Sequence, residues 1–223
     1  MELIKKVDSQ TDKTQKFIFK NEAGFIVEFS YIDNNTNKDI ICVPTHTMCN
    51  VGCKFCHTTD YIGKIESVSL DRKEIFDGVD YVVNNTAIKD NKRLLLISYM
   101  GCGEPMKNLH GLMMSMNDIK AAYKKRIRFA VATSLPKDCW LEFFNFTKIV
   151  EKTKLDVKVH LSLHYTNDEI RKKWMPASLE IEPSIEAVEF YHQLTKNAIE
   201  IHYALIEGVN DTCRDRVELC RLL

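Results

Sequence analysis

Three cysteines fall within eight residues, Cys49-Asn50-Val51-Gly52-Cys53-Lys54-Phe55-Cys56. Thiolates in a C-x3-C-x2-C run on one tight loop can converge on a single inorganic centre. Closed structural zinc sites and ordinary four-iron clusters take four protein ligands. A centre held by three keeps one metal free to bind something else, so the spacing points to chemistry more than to scaffolding. Other residues with chemical potential are the strand-end sets Gly101-Cys102-Gly103-Glu104-Pro105, Thr133-Ser134 and Ser162-Leu163-His164, together with Glu28 and Cys42 upstream of the loop.

The elements that must position these residues follow from the hydrophobic pattern. Residues 16–20 and 24–32 are apolar and β-prone and flank a turn-rich tetrad, which predicts a hairpin. Beyond a polar loop the rhythm changes. Strand-like runs at 40–44, 93–100, 127–133, 156–163 and 198–206 alternate with helix-length stretches at 72–84, 109–123, 141–152, 183–196 and 212–223. That alternation predicts parallel strands with crossover helices, in which reactive residues gather at the C-terminal strand ends. The cysteine loop and the three polar sets each follow one of the first four such strands. The expectation is an α/β fold, a partial TIM-like (β/α) barrel preceded by a short β-hairpin, with residues 1–38 an extension and 39–223 an incomplete core. Five barrel-type strands can be counted, and the strand expected after the last helix is missing from the sequence.

Composition narrows the setting. Lys+Arg and Asp+Glu both number 31, so net charge supplies no long-range attraction to nucleic acid. No apolar run nears the roughly 20 residues of a membrane helix. The N-terminus has no apolar signal-peptide core. The eight cysteines are therefore read as reduced thiols or metal ligands in a cytoplasmic protein with no membrane partner.

Cys49, Cys53 and Cys56, with the aromatic Phe55 before the last, match the signature of the radical S-adenosylmethionine (SAM) superfamily. Within it the chain resembles the dual-specificity rRNA/tRNA adenine-C2 methyltransferases and the chloramphenicol–florfenicol resistance rRNA methyltransferases. Met100-Gly101-Cys102-Gly103-Glu104-Pro105 is similar to that family's Met-Gly-Met-Gly-Glu-Pro. The segment from Leu161 to Arg171 is similar to its Ser-Leu-His-Ala-x-Asn-Asp-x-x-Arg, and Pro176 and Gly208-Val209-Asn210-Asp211 continue the match.

The resemblance implies a [4Fe–4S] cluster on Cys49, Cys53 and Cys56, whose fourth iron takes the amino and carboxylate groups of SAM. It implies SAM contacts from Gly103, Glu104, Ser162, Leu163 and His164, with Glu104 accepting from the methionine ammonium. It implies that Cys42 resolves a protein–RNA adduct and that Glu28 accepts a proton, in a Val27-Glu28…Tyr31-Ile32 setting like the family's. The implied partners are an RNA substrate, rRNA or tRNA, and an electron donor of the flavodoxin or ferredoxin type.

The chain also departs from the family. The family's N-terminal accessory domain and its C-terminal methyl-accepting cysteine have no counterpart in the aligned region. A SAM-contacting serine aligns with Ala132, beside Thr133 and Ser134. Residues Pro44-Thr45-His46-Thr47-Met48 replace the family's Ser-Ser-Gln-Val-Gly.

Taken alone, the residues admit plainer readings. Glu28 suits a solvent-facing strand position, Cys42 a buried small apolar one, and a Gly-x-Gly-Glu-Pro sequence is more often a turn. The basic runs 124–128 and 171–174, with Trp174 as a stacking face, suit RNA but also suit solvated helix ends. Two other functions fit the residues. One is a radical SAM enzyme on another substrate without methyl transfer. The other is a zinc-binding interaction module completed by His57 or His46.

Overall fold

The computed structural model describes residues 1–33, 37–89 and 92–222. One eight-stranded sheet organises the chain: β1 (Glu2–Asp8), β2 (Gln15–Lys20), β3 (Ile26–Asp33), β4 (Lys38–Cys42), β5 (Leu94–Tyr99), β6 (Ile127–Thr133), β7 (Val157–Ser162) and β8 (Ile199–His202). Spatial order equals chain order. The first four strands pair antiparallel, and β4 to β8 pair parallel. Between the parallel strands run α1 (Arg72–Asn84), α2 (Leu109–Ala122), α3 (Trp140–Thr153), α4 (Asp168–Trp174) and α5 (Ile181–Thr195), and α6 (Cys213–Leu222) follows β8. Among the described residues no helix is long and apolar enough to cross a membrane.

Alternation along each strand divides the sheet into two faces. Phe17, Phe19, Val27, Phe29, Tyr31, Ile41, Leu95, Ile97, Phe129, Val131, Val159 and Leu161 are buried in a single core with the helices. The intervening residues, among them Glu28, Ser30, Cys42, Ser98, Ala132, His160 and Ser162, point to the other, concave side. The core therefore holds the strands in place while their polar alternates converge on one surface.

The predicted hairpin is corrected to a three-stranded meander, because β1 pairs with β2. Its sequence concealed it: Glu2, Lys5, Lys6 and Asp8 are exposed, and a register shift between Leu3 and Lys5 breaks the alternation. The meander is tied to the helical layer at both ends. Asn21 Nδ2 donates to Glu74 Oε1 at 2.8 Å, and Glu74 is also the N3 partner of the Asp71 capping box that starts α1. Arg93 Nη2 lies 2.9 Å from Asp33 and Nη1 3.4 Å from the buried Asp39, which also accepts from Tyr31 at 3.0 Å.

Gly78 on α1 faces Phe29 so closely that an added Cβ would lie 2.2 Å from the ring. Gly78→Ala is therefore expected to lose about 1–3 kcal/mol in chemical denaturation through overpacking of α1 against β3. A loss within error of zero would mean the helix can slide away from the sheet.

Candidate active site

The cysteine loop leaves β4 and turns at Gly52, whose φ of +83° only glycine adopts without strain. It is pinned by Lys54 N–H donating to the Trp174 carbonyl at 2.8 Å, by Cys56 N–H to the Cys53 carbonyl at 2.9 Å, and by the Thr59 hydroxyl to that same carbonyl at 2.6 Å. These bonds orient Cys49, Cys53 and Cys56 onto one cavity of about 290 Å³. Gly103, Glu104, Thr133, Ser134, Ser162 and His164 line the same cavity, so four strand ends and the loop meet there. Burial raises the Cys49 thiol, and burial reinforced by the neighbouring Cys49, Cys56 and Glu104 pushes Cys53 up to about 12. Collecting three sulfurs and a carboxylate in one place disfavours their charged forms until a cation joins them.

Glu104 is 5% exposed and its carboxylate faces N–H and O–H donors rather than a cation. Ser134 donates to Oε2 through both its N–H (3.0 Å) and its hydroxyl (3.1 Å), and Met106 N–H donates to Oε1 at 3.2 Å. Burial raises its pKa even so, with the Thr133 and Ser134 bonds pulling the other way. Next to it Gly103 takes φ +110°, and a Cβ there would lie 2.5 Å from His46 Nδ1 and 2.6 Å from Thr45 Oγ1. The backbone thus passes where no side chain fits.

His164 holds a left-handed φ of 58°. Its Nδ1 accepts from Ala204 N–H at 3.0 Å, and its carbonyl accepts from Asn210 Nδ2 at 2.6 Å. Burial lowers the imidazole to about 4, so the ring is neutral and, with Nδ1 accepting, carries its proton on Nε2. Phe55, 38% exposed, stands edge-to-face on it at 5.0 Å between centroids. Ser162 lines the cavity, but the Leu163 side chain is fully buried in the core. Leu163 N–H is shared between the Leu161 and His202 carbonyls and its own carbonyl accepts from Arg171, so it has nothing left to offer a cofactor.

Arg171, in a run expected to be a solvated basic end, is 1% exposed. Its guanidinium donates to the carbonyls of Leu179 (2.8 Å), Ser162 (3.1 Å), Ser134 (3.3 Å) and Leu163. It ties the C-terminal ends of β6 and β7 together beneath the cavity. Lys172 and Lys173 remain exposed.

A second, larger cavity of about 710 Å³ adjoins the first and shares Met100 and Gly101 with it. Glu28, Ser30, Cys42, His46 and His57 line it. The Glu28 carboxylate is half-exposed and pairs with Lys16 Nζ at 2.8 Å. Burial, with a smaller contribution from Glu28, pushes the Cys42 thiol up to about 11. Iodoacetamide at neutral pH is expected to modify exposed Cys213 and Cys220 first and Cys42 about a hundredfold more slowly. The Cys42 rate should climb with pH up to about 11, read by mass spectrometry of the peptides. A Cys42 rate equal to that of the exposed thiols would contradict its burial.

Sequence reasoning missed several wall residues: Tyr99, Met175 and His202. His202 could have been found only by pairing β8 with β7, which sets it opposite Ser162. The histidines offered as a fourth zinc ligand face the larger cavity, away from the smaller one. Among the described residues the one triad of metal donors with all ligand atoms within 4.8 Å is elsewhere, at His160, Glu200 and His202. The three sulfurs are thus set wider than a lone ion asks, which suits a multi-metal cluster better.

No family model matches the chain. The crystal structure of a radical SAM methyltransferase from Sphaerobacter thermophilus superposes with a TM-score of 0.84 and 26% identity, over 99% of this chain and 63% of that one. The fold is that of a radical SAM methyltransferase. A second radical SAM-type neighbour, anSMEcpe with bound AdoMet, matches at TM-score 0.52 and 15% identity over 82% of this chain and 46% of its own, a likeness of fold alone. Among curated proteins, the probable dual-specificity RNA methyltransferase RlmN of Clostridium novyi is 30% identical over 99% of this chain and 61% of its own length. That of Malacoplasma penetrans is 32% identical over 95% and 58%. The chain spans about 60% of the length of the curated relatives it matches. The radical SAM resemblance read from the cysteine loop thus extends along nearly the whole chain.

Proposed function

We propose that this chain is the radical SAM core of an RNA adenine methyltransferase of the dual-specificity kind, with residues 1–38 an N-terminal extension and 39–223 the catalytic core. The reading rests above all on one arrangement: three loop thiols and a buried carboxylate without a bound cation on the same small cavity. Cys49, Cys53 and Cys56 would hold a [4Fe–4S] cluster, which when bound supplies the electron for reductive cleavage of SAM. The fit is chemical as well as geometric, since thiols that resist ionisation alone are stabilised as thiolates by iron.

The chain's own residues do the rest. Glu104, held rigid by Ser134 and Met106, accepts the ammonium of the SAM methionine group, a charge-assisted pair in a dry site. The bare backbone at Gly103 lets that group approach. The neutral His164 ring and the Ser162 hydroxyl supply uncharged hydrogen-bonding groups on the opposite wall. Phe55 covers the mouth and keeps water off the sulfurs. The larger cavity takes the adenine, which must leave its stack to reach it. There Glu28 accepts the ring proton once Lys16 releases it, and Cys42 acts as a thiol that ionises only in a filled site. RNA contacts fall to Lys172, Lys173 and Trp174, and the electron comes from a flavodoxin- or ferredoxin-type donor in the cytoplasm.

The test is anaerobic reconstitution of the full chain with iron and sulfide, followed by SAM and dithionite. The expected result is a brown protein with about four irons that releases deoxyadenosine. In each single variant Cys49→Ala, Cys53→Ala and Cys56→Ala the release is lost. A colourless protein holding one zinc would overturn the reading. Deoxyadenosine formation that RNA neither stimulates nor competes with would keep the radical chemistry and reject the RNA substrate.

A further inference from the structure

The concave face carries a second cluster of donors that the reading above leaves unused. β7 and β8 pair in parallel with His160 opposite Glu200 and Ser162 opposite His202. His160 Nδ1 and His202 Nε2 face each other at 2.8 Å. Glu200 Oε1 lies 3.7 Å from His202 Nε2 and 4.0 Å from His160 Nδ1. All three donor atoms fall within 4.8 Å of one another. We propose that His160, Glu200 and His202 form a binding site for a divalent transition-metal ion of the Zn²⁺ type, on the sheet face beside the smaller cavity.

Four observations carry this. Two imidazoles and a carboxylate form a donor set suited to late first-row ions, and three protein ligands leave a position for water or a substrate oxygen. The separations are close to what an ion needs: two Zn–N bonds of about 2.0–2.1 Å at a tetrahedral angle span roughly 3.3 Å. The histidine pair would open by about 0.5 Å and the carboxylate would close by about as much.

The carboxylate is also already oriented. Lys158 Nζ holds Glu200 Oε2 at 2.8 Å, leaving Oε1 turned to the imidazoles, as outer-shell partners do for ligands. Finally, His160 is buried and desolvation holds its ring neutral, the form a metal takes. His202 stands in the wall of the smaller cavity, so an ion here would add an electrophile next to Ser162. None of the three ligands belongs to the cysteine loop, and the inference does not rest on the iron–sulfur reading.

The test is titration of the full chain with Co²⁺, watching the ring protons of its seven histidines by NMR. The rings of His160 and His202 are expected to shift together and to saturate, without a thiolate-to-cobalt charge-transfer band rising in step. Zn²⁺ should reverse the shifts by displacement. The same shifts should persist with Cys49, Cys53 and Cys56 all changed to alanine. His202→Ala, on a short edge strand, should lower the apparent affinity about tenfold or more while circular dichroism stays unchanged. His202→Gln serves as a second variant should the alanine protein misfold. Rings that do not move with Co²⁺, or an affinity that survives loss of His202, would show a plain hydrogen-bonded histidine pair and overturn the proposal.

Discussion

Arg171→Leu is expected to remove about 3–5 kcal/mol of folding stability, a large share of what a domain of this size possesses. The side chain is 1% exposed and its guanidinium serves four backbone carbonyls drawn from β6, β7 and the segment before α5. Leucine fills much of the volume but leaves those carbonyls dry and unpaired, and each such loss to a charged donor is worth about 1.5–3 kcal/mol. Burial already lowers the guanidinium to about 10, so its charge is retained at neutral pH only because those carbonyls solvate it. Arg171→Lys keeps the charge but not the planar fork, and should recover less than half of the loss. Urea unfolding followed by circular dichroism measures both. A change below about 1 kcal/mol would mean that the strand ends are held by something other than this residue.

Glu104→Gln is expected to weaken SAM binding by about tenfold to a hundredfold while leaving the fold intact. The substitution removes the charge opposed to the methionine ammonium and turns an amide N–H₂ toward the Ser134 N–H, where two donors then meet. Equilibrium dialysis with labelled SAM reads the effect, and Glu104→Asp should lose affinity too by withdrawing the carboxylate. pH provides a second test. Burial raises the Glu104 pKa, so its carboxylate is present above an elevated value and is protonated as pH falls through it. SAM affinity in the wild type should therefore decline on acidification earlier than an ordinary glutamate would allow, and that decline should vanish in the glutamine variant. Unchanged affinity in Glu104→Gln would place the ammonium elsewhere.

Much of the barrel was legible because its strands obey a simple rule. Residues 127–133 alternate large apolar and small or polar side chains, and β6 occupies that stretch. α1 was bracketed by Asp71 and Glu74, a capping pair visible in the sequence. Two elements escaped for opposite reasons. β1 lies at the sheet edge and buries almost nothing, so its charged residues carried no period. α4 has seven residues, too few for a helical repeat, and its one fully buried side chain is an arginine. No hydropathy argument finds a buried cation whose partners are carbonyls from distant strands.

The site shows the same division. Loop thiols, Gly103 and Glu104 were readable because their types and local spacing carry the chemistry. Leu163 was expected among the cofactor contacts through its neighbours in the motif, but strand alternation turns it into the core between Ser162 and His164. His202 and the His160–Glu200 pairing became visible only when β7 and β8 were set side by side.

Strand order that copies chain order has a consequence for how the molecule comes into being. As the polypeptide leaves the ribosome, each new strand finds its neighbour already synthesised, so no segment must wait for a distant partner before docking. The thiol loop emerges early, after the fourth strand, whereas Ser162 and His164 come more than a hundred residues later. For that interval the sulfurs lie open on a growing scaffold, and the wall that will shelter them is still being translated.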